Sequence, residues 1–141
     1  MWRLLKNFFN SLRTYPDLSP DLRVRQRVNR MLSDRPWLDP EDWHQRFWQS
    51  LNITRQISLF VYRHLPHYSG LDCGRIHPSD RLQEDLHLSL VCWFDWQEAL
   101  RQDFFTQFKI DLGETTDLET LSTIGDFMVF LDRQLMSINH S

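Results

Sequence analysis

Helix-start signals recur along this chain, and they constrain its fold more than any other feature. Ser19-Pro20 and Asp39-Pro40 each place a helix-capping residue before a proline suited to the first helical position. Thr123 and Asp126 follow the spacing of a capping box. Apolar residues recur at helical intervals behind each signal, and no segment has the pattern of a convincing sheet strand. The sequence therefore predicts an all-α protein.

The same periodicity divides the chain into predicted helices with definable ends. We expect Asn52 to break the third helix and Pro66 to close the fourth, since proline disfavours helical backbone in the residue before it. A boundary near residue 50 would separate an N-terminal helical extension, residues 1–49, from a helical domain, residues 50–141. The predicted helices cover residues 1–13, 20–32, 40–51 and 53–65, a segment from Ser89 through Phe104, and residues 124–135.

Charge is distributed unevenly between the two halves. Residues 1–52 contain nine Lys/Arg and six Asp/Glu, whereas residues 53–141 contain seven and thirteen. An acidic domain attracts basic protein surfaces and disfavours nucleic acid. Two cysteines are too few for a disulfide framework, and no apolar run approaches the ~20 residues of a membrane span. We therefore expect a cytoplasmic protein that binds another protein and not nucleic acid.

The order of segments after residue 50 resembles an acyl carrier protein. A helix and a long loop lead to Glu84-Asp85-Leu86 and then to His87-Leu88-Ser89-Leu90, and a late helix starts at Thr123-Ile124-Gly125-Asp126. The resemblance covers about residues 50–138. It implies an acyl-carrier-like helical bundle whose prosthetic serine stands at the start of the second long helix. On this resemblance, Ser89 is the attachment residue for 4′-phosphopantetheine.

Two departures from the family pattern decide the leading hypothesis. Leu88 stands where the family has an Asp before its serine, and an ungapped count places the serine position on Leu90. We therefore expect a carrier-like protein–protein interaction module that is not an enzyme and holds no cofactor, with Ser89 as a helix N-cap. The alternative is a working acyl or peptidyl carrier with phosphopantetheine on Ser89.

Bulky aromatics and clustered charges are the candidate contact residues, because such side chains anchor interfaces. The arginines among them form a stripe on the second predicted helix. That stripe is either a solvated face paired with nearby carboxylates or a strip that binds phosphate or acidic groups. The predicted contact residues are Trp93, Trp96, Glu84, Asp85, Arg23, Arg27 and Arg30.

Residues 1–13 have amphipathic periodicity, with Trp2, Phe8 and Phe9 on one side and Arg3 and Lys6 on the other. We expect this segment to dock on a protein surface. The alternative is an interfacial membrane anchor, which would make the protein a peripheral membrane adaptor.

Metal and nucleophile patterns are weak. His64-x-x-His67 with Cys73 and His77 is only a loose version of a zinc site, and partly buried histidines are the simpler interpretation. The chain has no Gly-x-Ser-x-Gly elbow, and His87 with Ser89 lacks an orienting acid. We expect neither a metal site nor a catalytic residue.

Overall fold

The computed structural model describes residues 20–113 and 118–139, and its regular secondary structure is helical. Within those ranges the single β-type pairing is an isolated bridge between Arg81 and Thr123. The all-α prediction is confirmed, whereas the prediction for residues 1–13 lies outside the described residues. The described ranges contain six α-helices, in chain order: α1 (Leu22–Leu32), α2 (Pro40–Trp43), α3 (Arg55–Ser69), α4 (Leu88–Val91), α5 (Trp96–Phe108) and α6 (Ile124–Asn139).

Among the described residues, no helix combines the length and the apolar character that crossing a membrane requires.

Two of the predicted helix starts are confirmed in atomic detail. The Asp39 carboxylate accepts a hydrogen bond from the backbone N–H of Asp42 at 2.8 Å at the start of α2. At the start of α6, the Asp126 N–H donates to Thr123 Oγ1 at 3.1 Å, and the Thr123 N–H donates to Asp126 Oδ2 at 3.2 Å. This reciprocal pair is a capping box.

Helix α1 starts later than the sequence pattern predicted. Its N-cap is Asp21, whose carboxylate accepts from the N–H groups of Arg23 and Val24, so the helix begins at Leu22 and not at Pro20. The carboxylate of Asp21 reaches two otherwise free amides, and this local bonding sets the start.

The segment after α2 continues in non-α helical turns and ends at Asn52. A π-helical turn at His44–Trp48 and a 3-10 turn at Gln49–Leu51 follow α2 directly. Asn52 ends the segment in the left-handed conformation, with φ of 61°. Asparagine tolerates this conformation better than most residues, and the predicted break at Asn52 is confirmed.

The prediction that Pro66 closes the fourth helix is wrong. Helix α3 continues through Pro66 to Ser69, because one missing N–H donor does not prevent a final helical turn. Gly70 ends the helix at φ of 69°, and its N–H donates to the Pro66 carbonyl at 2.8 Å. A side chain at Gly70 would also collide with the guanidinium of Arg25.

The prediction of one helix from Ser89 through Phe104 is also wrong. Helix α4 has only four residues, and the chain is extended at Cys92 before α5 begins at Trp96. His87 occupies the N-cap position of α4 with φ of 52°. Ser89 therefore neither caps a helix nor begins a long one.

One hydrophobic core joins residues from both sides of the predicted boundary at residue 50. Trp43 is fully buried, lies edge-on to Trp48 at 5.2 Å and to Tyr62 at 5.4 Å, and donates its indole N–H to the Ile76 carbonyl. Val28 belongs to the same buried cluster. The division into residues 1–49 and 50–141 stays a prediction, although the core extends across it.

Candidate functional site

A groove of about 670 Å³ separates α1 from residues 80–90. One wall consists of a single face of α1, whose lining residues are spaced as successive helical turns require, together with Arg35 just beyond the helix. The other wall is formed by the turns that precede α4 and by Leu90 of α4 itself. We call this feature the α1 groove, and it is lined by Val24, Arg27, Val28, Met31 and Arg35 on one side and by Asp80, Glu84, Asp85, His87 and Leu90 on the other.

A second face of α1 holds the helix against the rest of the protein. Polar residues spaced four apart lie on this face and donate to three backbone carbonyls. These bonds fix the position of the groove wall, since each joins α1 to a segment more than forty residues away in sequence. They run from Asp21 N to Leu90 O at 2.8 Å, from Arg25 Nη2 to Val91 O at 2.8 Å and from Asn29 Nδ2 to Gly70 O at 2.9 Å.

An ion pair between Arg35 and Asp80 connects the two walls. The guanidinium donates to both carboxylate oxygens, at 2.7 and 2.9 Å, and Asp80 also accepts the N–H of His77 at 2.7 Å. The Asp80 side chain is only 6% exposed. The hydrogen bond to Asp80 raises the pKa of Arg35 above its usual value, so the guanidinium stays charged.

The acidic wall contains one engaged carboxylate and one open carboxylate. Asp85 accepts from the backbone N–H of Arg81 at 2.8 Å and from its guanidinium at 3.2 Å, and these bonds lower the pKa of Asp85. Glu84 is exposed, and neither it nor Arg27 on the facing wall forms an ion pair with another described residue. The groove therefore offers an unpaired cation and an unpaired anion on opposite walls.

Several of the predicted contact residues come together in this groove. Arg27 faces Glu84 and Asp85 across it, although the sequence separates the two groups by more than fifty residues. Arg23 and Arg30 are exposed on α1 but do not line the groove.

Ser89 lies beside the groove and not in its lining. The residue is exposed, and its backbone N–H donates to Gln83 Oε1 at 3.1 Å.

The predicted aromatic contact face is wrong for Trp96. Its side chain is 8% exposed and its ring lies 6.4 Å from that of Tyr68 on α3. Trp93 is half-buried, and its backbone N–H donates to the Tyr68 carbonyl at 3.3 Å. The start of α5 is turned against α3, which removes Trp96 from the surface.

No sequence pattern predicts the Arg35–Asp80 pair or the exposure of Met31 and Leu90. The paired residues are forty-five positions apart, and no local pattern distinguishes Arg35 from the other arginines of the chain. Met31 belongs to the same apolar stripe of α1 as the buried Val28, yet it is 38% exposed on the groove. Helical periodicity identifies an apolar stripe but not the point where the stripe leaves the core.

Other chemical groupings have structural roles. No group of three or more His, Cys, Asp or Glu side chains in the described parts of the chain could hold a metal ion. His44 Nδ1 lies 2.6 Å from Ser58 Oγ, and burial lowers the pKa of His44. Ser58 has no exposed surface, so a substrate cannot reach this pair. It satisfies two polar side chains inside the core.

No protein-family model, curated protein or solved structure matches this chain.

Proposed function

We propose that the protein is a non-catalytic, carrier-like protein–protein interaction module that uses the α1 groove as its contact surface. The observation that carries this proposal is the meeting of Arg27, Glu84 and Asp85 in one groove. Exposed apolar side chains lie in the same place, since Met31 is 38% and Leu90 is 47% exposed. Apolar anchors surrounded by charges are typical of interaction sites.

The shape of the groove favours a helical partner segment. Helix α1 has 11 residues and is therefore about 16 Å long, which matches roughly three turns of a second helix. Apolar side chains of such a helix would contact Val24, Met31 and Leu90. Because Arg27 and Glu84 lie on opposite walls, a partner with both charge signs in the correct register would be selected over one with a single sign.

A pair of matched substitutions tests the proposal. Met31 and Met136 are both 38% exposed, but only Met31 lines the groove. Tagged full-length protein is expressed in the cells that produce it naturally, and co-purified proteins are quantified by mass spectrometry. We expect a partner that wild type and Met136→Glu recover equally and that Met31→Glu recovers at least tenfold less.

Circular dichroism of both variants checks that each remains folded. If Met31→Glu and Met136→Glu retain every captured protein equally, the α1 groove is not the contact surface.

The second candidate function is a working acyl or peptidyl carrier with 4′-phosphopantetheine on Ser89. The exposure of Ser89 beside the groove favours it, because a transferase needs an accessible hydroxyl. The four-residue length of α4 and the burial of Leu88 disfavour it. Intact mass after incubation with coenzyme A and a broad-specificity phosphopantetheinyl transferase decides between the two functions.

We expect no mass gain in that experiment. A gain of one phosphopantetheine that disappears in Ser89→Ala would replace the interaction module with the carrier.

A further inference from the structure

We infer that residues 1–13 are an intramolecular ligand of the α1 groove that competes with the partner, an inference that rests on the proposed function. These residues lie outside the described part of the chain. Three observations support the inference: the point where the chain enters α1, the length of the connecting segment, and the chemistry of the groove.

The described chain begins directly beside the groove. The backbone N–H of Asp21 donates to the carbonyl of Leu90 at 2.8 Å, and Leu90 is one of the groove-lining residues. Any segment that precedes residue 20 is therefore tethered at the end of the groove. Such a segment can reach the groove from this end without passing over either wall.

The connecting segment is long enough to let residues 1–13 return along α1. Residues 14–19 span up to about 20 Å when extended. A helix of thirteen residues is also about 20 Å long, close to the ~16 Å of α1. A short tether of this kind produces an effective concentration in the millimolar range, so a weak contact is sufficient for high occupancy.

The chemistry of the two surfaces is complementary. Trp2, Phe8 and Phe9 lie on the apolar side of the predicted helix, and the groove presents exposed Met31 and Leu90.

Charge favours the same contact. The lining contains two arginines and three carboxylates, and Arg35 and Asp80 compensate each other. Asp85 is engaged by Arg81, so Glu84 and Arg27 remain, among the described residues, as the unpaired charges on opposite walls. Glu84 can attract Arg3, Lys6 or Arg13 of the segment where these cations lie along its own wall, away from Arg27.

Cysteine cross-linking of the full-length chain tests the inference. Asn7→Cys is combined with Ser89→Cys at the groove, or with Gln56→Cys as the matched control. Gln56 is also exposed and lines a separate depression of about 840 Å³ between α3 and residues 39–41. A short bismaleimide is added, and intramolecular cross-links are quantified by peptide mass spectrometry.

The native thiols do not interfere, because Cys73 and Cys92 are only 2% and 4% exposed. Burial also raises the pKa of Cys92 to about 12, which keeps this thiol protonated and unreactive. Labelling of the wild-type chain under the same conditions verifies this background.

We expect the Asn7→Cys/Ser89→Cys pair to cross-link at least fivefold more than the Asn7→Cys/Gln56→Cys pair. Adding Met31→Glu or Glu84→Lys should remove most of that excess, whereas Met136→Glu should preserve it. Equal yields in the two pairs, or an excess unchanged by Met31→Glu, would overturn the inference.

Co-sedimentation with vesicles of phosphatidylcholine and phosphatidylserine distinguishes a membrane role of residues 1–13 from the intramolecular contact. Co-sedimentation that is lost on deletion of residues 1–13, together with equal cross-linking yields, would overturn the inference and assign the segment to a membrane surface.

The cross-link forms within the isolated chain, so its outcome is independent of partner capture. A cross-link with partner recovery unaffected by Met31→Glu would contradict the proposed function and support the intramolecular contact. If both proposals hold, deletion of residues 1–13 should increase partner recovery several-fold.

Discussion

Two positions at which the sequence predicts a helix start, Thr123 and Ser89, lie in opposite environments. Thr123 and Asp126 form a capping box, and Ile124, which follows Thr123, is fully buried. Ser89 is exposed inside the four-residue helix α4, after a left-handed residue at His87. A capping sequence starts a helix where its side chains form their hydrogen bonds with nearby backbone groups and where the apolar residues behind it pack into the core.

The same comparison distinguishes two sides of the molecule: a fixed side around the start of α6, and an open side around Leu90. The Ile124 N–H donates to the Asp80 carbonyl at 2.9 Å, and the isolated bridge between Arg81 and Thr123 holds the start of α6 against residues 80–81. Leu90, only a few residues later, is 47% exposed. We expect substitutions to affect stability on the fixed side and binding on the open side.

The largest expected difference between the two sides is in apolar truncation. Phe127 is 3% exposed in the core, so Phe127→Ala should lower the free energy of unfolding by about 3–5 kcal/mol. Leu90→Ala should lower it by less than about 1 kcal/mol, since almost half of the side chain is already in water. Urea unfolding followed by circular dichroism measures both values.

Equal effects for the two substitutions would contradict the comparison. A silent Phe127→Ala would mean that α6 packs its apolar stripe against solvent or a partner.

A smaller difference is expected between two carboxylates of the groove. Asp80→Ala leaves the partly buried Arg35 without its anion, and we expect a loss of about 2–4 kcal/mol. Asp85→Ala removes the more exposed pair with Arg81 and should change stability by less than about 1 kcal/mol. Thermal unfolding of both variants measures the two effects. A greater loss of stability for Asp85→Ala than for Asp80→Ala would place Asp85, and not Asp80, on the fixed side.

The two predicted helix starts themselves provide the third test. Thr123→Ala removes one half of the capping box and should lower the free energy of unfolding by about 1 kcal/mol. Ser89→Ala removes an exposed hydroxyl that caps no helix and should change it by less than about 0.5 kcal/mol. A greater loss for Ser89→Ala in denaturant titrations would show that α4 depends on its hydroxyl.

Sequence patterns predicted the parts of this protein that depend on local bonds. The Asp39 cap, the Thr123 box and the break at Asn52 are set within a few residues. Their physical causes are short-range hydrogen bonds and backbone preferences, which the local sequence contains.

The candidate groove was only partly predictable for the same physical reason. Arg27 and Glu84 were identified as contact residues by type, but their meeting depends on how α1 packs against residues 80–90. Trp96 was placed on the surface because the sequence does not show that α5 starts against Tyr68. Long-range packing decides which face of a helix is covered, and periodicity alone does not contain it.

Acidification provides the last and smallest test, directed at the fixed side. Burial, followed by the nearby charge of Arg35 and assisted by Arg46, lowers the pKa of His77 below its usual value, and Asp80 only partly opposes the shift. The unfolded chain takes up a proton as the pH falls through about 6.5, whereas the folded chain does not until its lower pKa is reached. The contribution of His77 to the free energy of unfolding is therefore fully present above about pH 6.5, and it is lost as the pH falls through the lower pKa of the folded state.

His77→Asn removes this titration, while the backbone N–H that donates to Asp80 remains. We expect the decrease in the free energy of unfolding between pH 7.5 and pH 5, set on either side of the ordinary histidine pKa of about 6.5, to be smaller in His77→Asn than in wild type. Urea titrations at the two pH values measure it, and an identical decrease in both proteins would show that His77 becomes protonated without disturbing the Asp80 side of the groove. Acid sensitivity would then have to originate elsewhere, with buried His44 as the next residue to substitute.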